Sequence, residues 1–320
     1  MFVNKELILG TVVLSVIFLA IAAVPILGFI VGIFTPLAVL YFSQSSRIQG
    51  LFILIFSLIP TFLVLRSLDM QGNLPFLFSW GAVGFFLSEF IKRKNPIDKA
   101  VFYSVLLLLA MGLSFLMIYS FQIGEDPWSV VETAIKQGVQ EGIQAYSQAG
   151  VAPDQLKAIR NQIPEITKTI YHLFPAIAVI SSIFFVWINV MAARVVLAWK
   201  KTAVLAADDL ALWKIPDKLV WFVIASGALI LLPVESFRIA GLNLIAIFLF
   251  IYFFQGLSIV YFFFQKKQAP LFLRGIIYTL IFIQQILLLM VVALGFFDLW
   301  VDFRKINREI KLSEEKGETQ

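Results

Sequence analysis

Residues 240–265, AGLNLIAIFLFIYFFQGLSIVYFFFQ, contain no Asp, Glu, Lys, Arg or His. A helix of about 26 residues rising 1.5 Å per residue reaches roughly 39 Å, enough to cross the hydrocarbon core with some tilt. In hydrocarbon every backbone N–H and C=O must be bonded within the segment, so a stretch of this kind is a membrane helix. Its polar residues Asn243, Gln255 and Ser258 give that helix a polar edge for neighbouring helices to cover.

The rest of the chain agrees. Hydrophobic residues make up 60% of the 320 and charged residues 14%, where a soluble domain carries about 25%. Mean hydropathy is +0.92. The 33 phenylalanines suit a lipid-facing surface, and the net charge of +5 is accounted for by juxtamembrane lysines and arginines without a nucleic-acid partner. Without cysteine there is no disulfide framework, iron–sulfur cluster or thiol nucleophile, and a single histidine, His172, excludes a histidine-rich metal site. No phosphate-binding Gly-rich loop is present, so any nucleotide hydrolysis belongs to another chain. The sequence implies no cofactor.

Read from the start, the N-terminal run is an uncleaved span. Residues 7–42 are too long for one helix and carry Pro25 and Gly28, which predicts two short helices meeting at a Pro-Gly turn. Further spans are expected over residues 50–65 (with Pro60 as a kink), 74–90 and 100–121. Residues 122–168 are polar, with Val131, Ile135, Val139, Ile143 and Tyr146 at helical spacing. A second short helix opens at Pro153 and a new start is expected at Pro164, which makes the segment an amphipathic hairpin on one membrane face. A sixth span covers residues 166–199. The connector 200–217 is bracketed by Trp199, Trp213 and Trp221, residues that favour the headgroup level. A short candidate at 219–233, the opening stretch and a span at 276–297 complete the list. The domain division is a five-span bundle at 1–121, an external insert at 122–168, a second bundle at 169–303 and a charged tail at 304–320.

Charge sets the sidedness. Nine spans with a cytoplasmic N-terminus put Lys92, Arg93, Lys94, Lys200, Lys201, Lys266, Lys267 and Arg274 inside and only Arg66 and Arg238 in short outer loops. That arrangement also puts the basic tail, Arg304, Lys305, Arg308 and Lys311, outside. Eight spans return the tail to the inside but expel Lys266, Lys267 and Arg274, so each count breaks the rule once.

Polar residues inside spans are the candidate site. Gln255 falls near mid-membrane, as do Gln284 and Gln285 in the span at 276–297; amides at matched depth either tie helices together or line a polar pocket. Asn243 lies about 120° around the helix from Gln255 and does not share its stripe. Arg194, with Asn189 one turn deeper, snorkels to the interface or meets an anionic ligand. Glu89 has Lys92 and Arg93 at ion-pair spacing. Asp298 and Asp302 share a helix face with Arg304 close by, which reads as a solvated network or a cation site. Ala203, Ala207 and Ala211 recur every four residues, a stripe on which a cytoplasmic or membrane partner can dock.

Several of these residues stand in patterns with a known likeness. Trp213-Lys-Ile-Pro216, Gly241-Leu-Asn243-Leu, Gln255-Gly256-Leu and Gly295-Phe-Phe-Asp298-Leu-Trp300-Val-Asp302-Phe303-Arg304 resemble the YybS-like family of predicted bacterial membrane proteins. The resemblance implies a multi-pass bacterial inner-membrane protein and assigns no reaction. In the N-terminal half, Pro25, Gly28, Pro36 and Gly50 between short apolar helices look like the substrate-binding subunits of energy-coupling factor transporters and the related MreD-like proteins. Those subunits carry an alanine docking motif on the first span; here Ala20 is followed four residues later by Val24, so the motif is missing there.

The fold expected is therefore an all-α polytopic bundle of eight or nine spans with one external amphipathic helical insert. The leading functional reading is a non-enzymatic membrane component that binds or transports a small molecule with a membrane or cytoplasmic protein partner, with Asn189, Arg194, Asn243, Gln255, Gln284 and Gln285 as ligand candidates. A scaffolding protein without ligand is the alternative. A membrane enzyme comes third, for want of a nucleophile–base pair or metal cluster.

Overall fold

The computed structural model describes residues 5–23, 25–44, 46–68, 74–93, 96–150, 153–199 and 208–305. Every element among them is a helix. The chain divides into two compact units, Met1–Val204 and Leu205–Gln320.

The first unit opens with α1 (Lys5–Ala23), α2 (Pro25–Gly32) and α3 (Thr35–Phe42). The expected pair of short helices is thus three. The chain does fold back at Pro25, and Gly28 lets α2 lie on α1, because a Cβ there would overlap the Ala20 carbonyl. A second interruption, at Ile33 and Phe34, follows. Next come α4 (Arg47–Ser67), α5 (Leu74–Lys92) and α6 (Ile97–Ile123). Ser46 caps α4 by accepting from the Gln49 N–H, and the helix continues through Pro60. Leu14, Phe18, Val39, Ile53, Leu54, Leu65 and Leu77 form the core between α1, α3, α4 and α5.

After α6 the chain turns at Gly124, whose left-handed φ of 72° ends the helix. Asp126 then caps α7 (Pro127–Gln148), accepting from Trp128 N at 3.0 Å and Ser129 N at 3.2 Å. Of the stripe read from sequence, Val131 and Ile143 are buried, Ile135 and Val139 half-buried and Tyr146 exposed, while Trp128 meets Tyr171 edge-on. Its partner differs from expectation. The chain does not restart at Pro164 but runs as one helix, α8 (Pro153–Trp199), through Pro164 and Pro175. At 1.5 Å per residue a helix of 47 residues is roughly 70 Å long, more than twice the hydrocarbon thickness, so α7 pairs with a part of α8 that continues beyond the apolar span. The hairpin is formed, and its second arm is continuous with the sixth span across residue 168.

The second unit holds α9 (Asp208–Ala211), α10 (Leu219–Leu231), α11 (Glu235–Lys266), α12 (Leu271–Ile283) and α13 (Gln285–Val301). The opening stretch lies wholly within the unbroken α11. Gly241 seats α10 against it, with the Ser226 carbonyl 2.8 Å from where a Cβ would stand. Gly256 and Gly295 bring α11 and α13 to backbone contact, Gly256 facing the Val291 carbonyl and Gly295 the Tyr252 carbonyl. The single span expected at residues 276–297 is not one helix: α12 and α13 meet at Gln284 with a bend of 101°.

Six described helices are long and apolar enough to cross a membrane, or seven if the bent pair is counted as one span. Reaching eight or nine requires the shorter apolar helices at Gly28–Phe42 and Leu219–Leu231 as well.

Candidate functional site

A buried polar assembly forms in the second unit where α13 ends. Asp302 takes a left-handed φ of 46°, its N–H closing on the Asp298 carbonyl at 3.0 Å, and this stops the helix. The turn is held by Phe303 N donating to Asp298 Oδ1 at 3.0 Å and Lys305 N to the Asp302 carbonyl at 2.9 Å. It swings Arg304 back beside Asp298, where Nη2 meets Oδ2 at 2.8 Å. The same oxygen accepts from Gln255 Nε2 at 3.1 Å, and Gln255 Oε1 accepts from Ile215 N at 3.2 Å.

Ser258, one turn beyond Gln255 on α11, completes the assembly. Its hydroxyl donates to the Leu210 carbonyl at 2.6 Å and accepts from Arg304 Nη1 at 2.9 Å. Nη1 also reaches the carbonyls of Ala211 at 2.9 Å and Trp213 at 2.8 Å. Asp298 is 1% and Arg304 4% exposed. The guanidinium thus clasps three elements: the end of α13, the second half of α11 at Ser258 and the connector around residues 210–215. Charges taken out of water are tolerated only when paired and hydrogen-bonded, and ionisable groups inside membrane domains are where function is first sought. Chemically the arrangement is a closed latch. The Arg304 guanidinium, rather than a bound metal ion, answers Asp298, and no group of three or more His, Asp or Glu among the described residues is placed to hold a metal.

The other candidates separate. Gln284 and Gln285 stand exposed at the bend and do not meet Gln255, whose amide is taken by Asp298 and Ile215. The expected pairing is absent because both glutamines lie exposed at the bend while Gln255 is buried against α13 and the connector. Asn243 is buried on α11 and donates to the Ile239 carbonyl at 2.9 Å, apart from the latch. Ala211 is buried with its carbonyl on Arg304; Ala203 and Ala207 lie outside the described residues. Beside the latch, Asp217, Lys218, Trp221, Leu299 and Trp300 line an open cleft of about 370 Å³.

In the first unit Asn189 is wholly buried and spans the interruption between α2 and α3. Its Nδ2 donates to the carbonyls of Ile33 and Phe185, each at 2.8 Å, and Oδ1 accepts from Leu37 N at 3.1 Å. A single amide thereby satisfies a carbonyl and an N–H that the break takes out of the helical ladder. Arg194, five residues on, is half-buried in α8. Glu89 pairs with Lys92 as its spacing predicts, at 3.3 Å, and also with Arg47 at 3.5 Å. Asn189→Leu is expected to cost about 1–3 kcal/mol by leaving buried backbone groups unpaired, read as a lowered unfolding midpoint in detergent. A change under about 0.5 kcal/mol would mean that the α2–α3 break holds without the amide.

Sequence reading missed the Asp298–Gln255 bond, which joins two helices, and the inward turn of Arg304. The signal present was composition alone: a carboxylate and an arginine six residues apart at the end of an apolar run.

Comparison with known proteins agrees with the architecture. The chain is 25% identical over 318 residues to the uncharacterized protein YybS of Bacillus subtilis (strain 168), covering 94% of this chain and 98% of that one. No solved structure matches it. The model of the family described as predicted membrane protein (DUF2232) matches residues 12–299, and the chain belongs to that family. It is a multi-pass membrane protein of bacterial type.

Proposed function

We propose that this member of the family is a non-enzymatic component of the bacterial cell membrane that binds or moves a small molecule together with a partner protein. One observation carries the reading. At Gln284 an apolar helix breaks and turns by 101°, leaving two exposed amides, Gln284 and Gln285, between half-helices that are otherwise almost wholly apolar. Interrupted helices at membrane depth persist where their freed polar groups are buried in protein or face a polar cavity, and transporters build binding sites from such breaks. The α2–α3 break is of the buried kind, stitched by Asn189; the α12–α13 break is of the exposed kind.

Native mass spectrometry of the protein released gently from its own membrane tests this. A discrete non-lipid mass is expected on the wild type and lost in Gln284→Leu/Gln285→Leu, with the unfolding midpoint moved by no more than about 0.5 kcal/mol, as for other exposed sites. Retention of that mass by the double variant would sink the assignment to Gln284 and Gln285.

A second reading, a scaffolding membrane protein without ligand, is favoured by the latch, whose side chains Gln255, Ser258, Asp298 and Arg304 all bond to protein groups. A stoichiometric protein partner with no small molecule in the same spectrum would select it.

A further inference from the structure

We infer that α12–α13 is a re-entrant pair: it enters the bilayer at the Lys266 end of α11 and leaves by that same end. Its contacts along α11 carry the inference. Arg274 opens α12 against the last turn of α11, Nε donating to the Ala269 carbonyl at 2.8 Å and Nη2 to the Phe264 carbonyl at 3.4 Å. Tyr278 then packs on Phe264 and Phe282 on Phe253, so α12 travels back along α11 by about three turns.

After the bend α13 crosses α11 around Tyr252 and Gly256, and its Leu299 and Trp300 reach the opening turns of α10 at Val220, Trp221 and Ile224. Val291 and Gly295 meet Gly256 and Tyr252, Asp298 meets Gln255, and Arg304 meets Ser258. The first half of α11 is lined instead by α10, with Ser226 and Ile230 at Gly241 and Phe222 on Phe248. A crossing span would carry its far end on to the level of Gly241, where α10 supplies the neighbours Ser226 and Ile230. Measured along α11, Arg304 is roughly 12 Å of helix rise from Lys266 and roughly 35 Å from Glu235.

Charge orients the unit. Lys266, Lys267, Arg274, Arg304 and Lys305 gather at the end where the pair enters and leaves, and the connector carrying Lys214 and Lys218 adjoins the same part of α11. The opposite end holds Glu235 and Arg238. By the positive-inside rule the basic end is cytoplasmic. A re-entrant pair adds no crossing, so Lys266, Lys267, Arg274, Arg304 and Lys305 share one side. The conflict that both span counts met in the sequence disappears.

The chain has no cysteine, so each single-cysteine variant carries one thiol. P233C, K267C and K305C, all at exposed positions, are treated with a membrane-impermeant maleimide in intact spheroplasts and in inverted vesicles. P233C is expected to label in spheroplasts, and K267C and K305C only in inverted vesicles. Labelling of K305C together with P233C would make α12–α13 a crossing span and overturn the inference. So would P233C and K267C labelling from one side, since α11 would then not cross. If K305C reacts in neither preparation, a cysteine appended after Gln320 is read by the same criterion.

Discussion

Arg304→Ala is expected to destabilise the protein by about 3–5 kcal/mol, because it leaves the Asp298 carboxylate buried without its countercharge. The measurement is an unfolding titration in mixed micelles, following the tryptophan signal. The loss has two sources. Asp298 keeps hydrogen bonds from Gln255 and Phe303 but no cation, and the carbonyls of Ala211 and Trp213 lose the guanidinium that holds the connector. Asp298→Leu alone should cost a similar amount, this time by stranding the guanidinium. Asp298→Leu with Arg304→Met should cost much less than the sum, since removing both charges removes the desolvation penalty along with the attraction. Additive losses would show that the two side chains act independently and that the latch is not a unit. A double variant close to wild type in stability then becomes the tool for asking what else the latch does, because any defect it keeps is not one of folding.

The second large effect lies where α11 and α13 touch. A Cβ on Gly256 would overlap the Val291 carbonyl and sit 2.7 Å from its Cγ1, and one on Gly295 would overlap the Tyr252 carbonyl and stand 2.7 Å from Gly256 N. The obstacles are mostly backbone, which cannot rotate away, so the helices must separate. Small residues at such a crossing are what lets two membrane helices approach without a hydrophobic driving force between them. Gly256→Ala is expected to cost about 1–3 kcal/mol, and Gly256→Val more. Separation would also lengthen the Gln255–Asp298 bond, so the glycine change should weaken the latch from a distance. Gly227, in the middle of α10, has nothing within 4 Å of its missing Cβ and serves as the control. Gly227→Ala should leave stability unchanged or raise it by up to about 1 kcal/mol through helix propensity. Equal behaviour of Gly256→Ala and Gly227→Ala would refute the close crossing.

Several elements were legible because their signals are local. About 26 residues without a charge admit no other structure in hydrocarbon than a helix, and α11 is that helix. The stripe from Val131 to Ile143 buried itself as a period-3.6 pattern must, and Glu89 found Lys92 at helical spacing. Prolines were over-read. Pro164 removes one N–H and one hydrogen bond, a local loss that a helix packed on α6 and α7 absorbs, so α8 continues through it. The bend at Gln284 was under-read for the opposite reason: no proline or glycine marks it, and hydropathy averaged over a span does not register direction.

The sequence alone thus established the solvent in which this chain folds, its helical class and the position of its longest span, because each follows from the cost of exposing backbone polar groups to lipid. Which polar residue meets which was settled by tertiary packing. Gln255 faces Asp298 rather than Gln284 because the α12–α13 bend and the Gly256–Gly295 crossing set the depth of α13 against α11. Arg304 turns inward because Asp302 adopts a left-handed conformation beside a carboxylate with a free lone pair to offer. Residues six or forty-three apart in the chain share no helical period, and the physical fact that joins them is a buried charge that must be answered by the nearest donors the fold supplies.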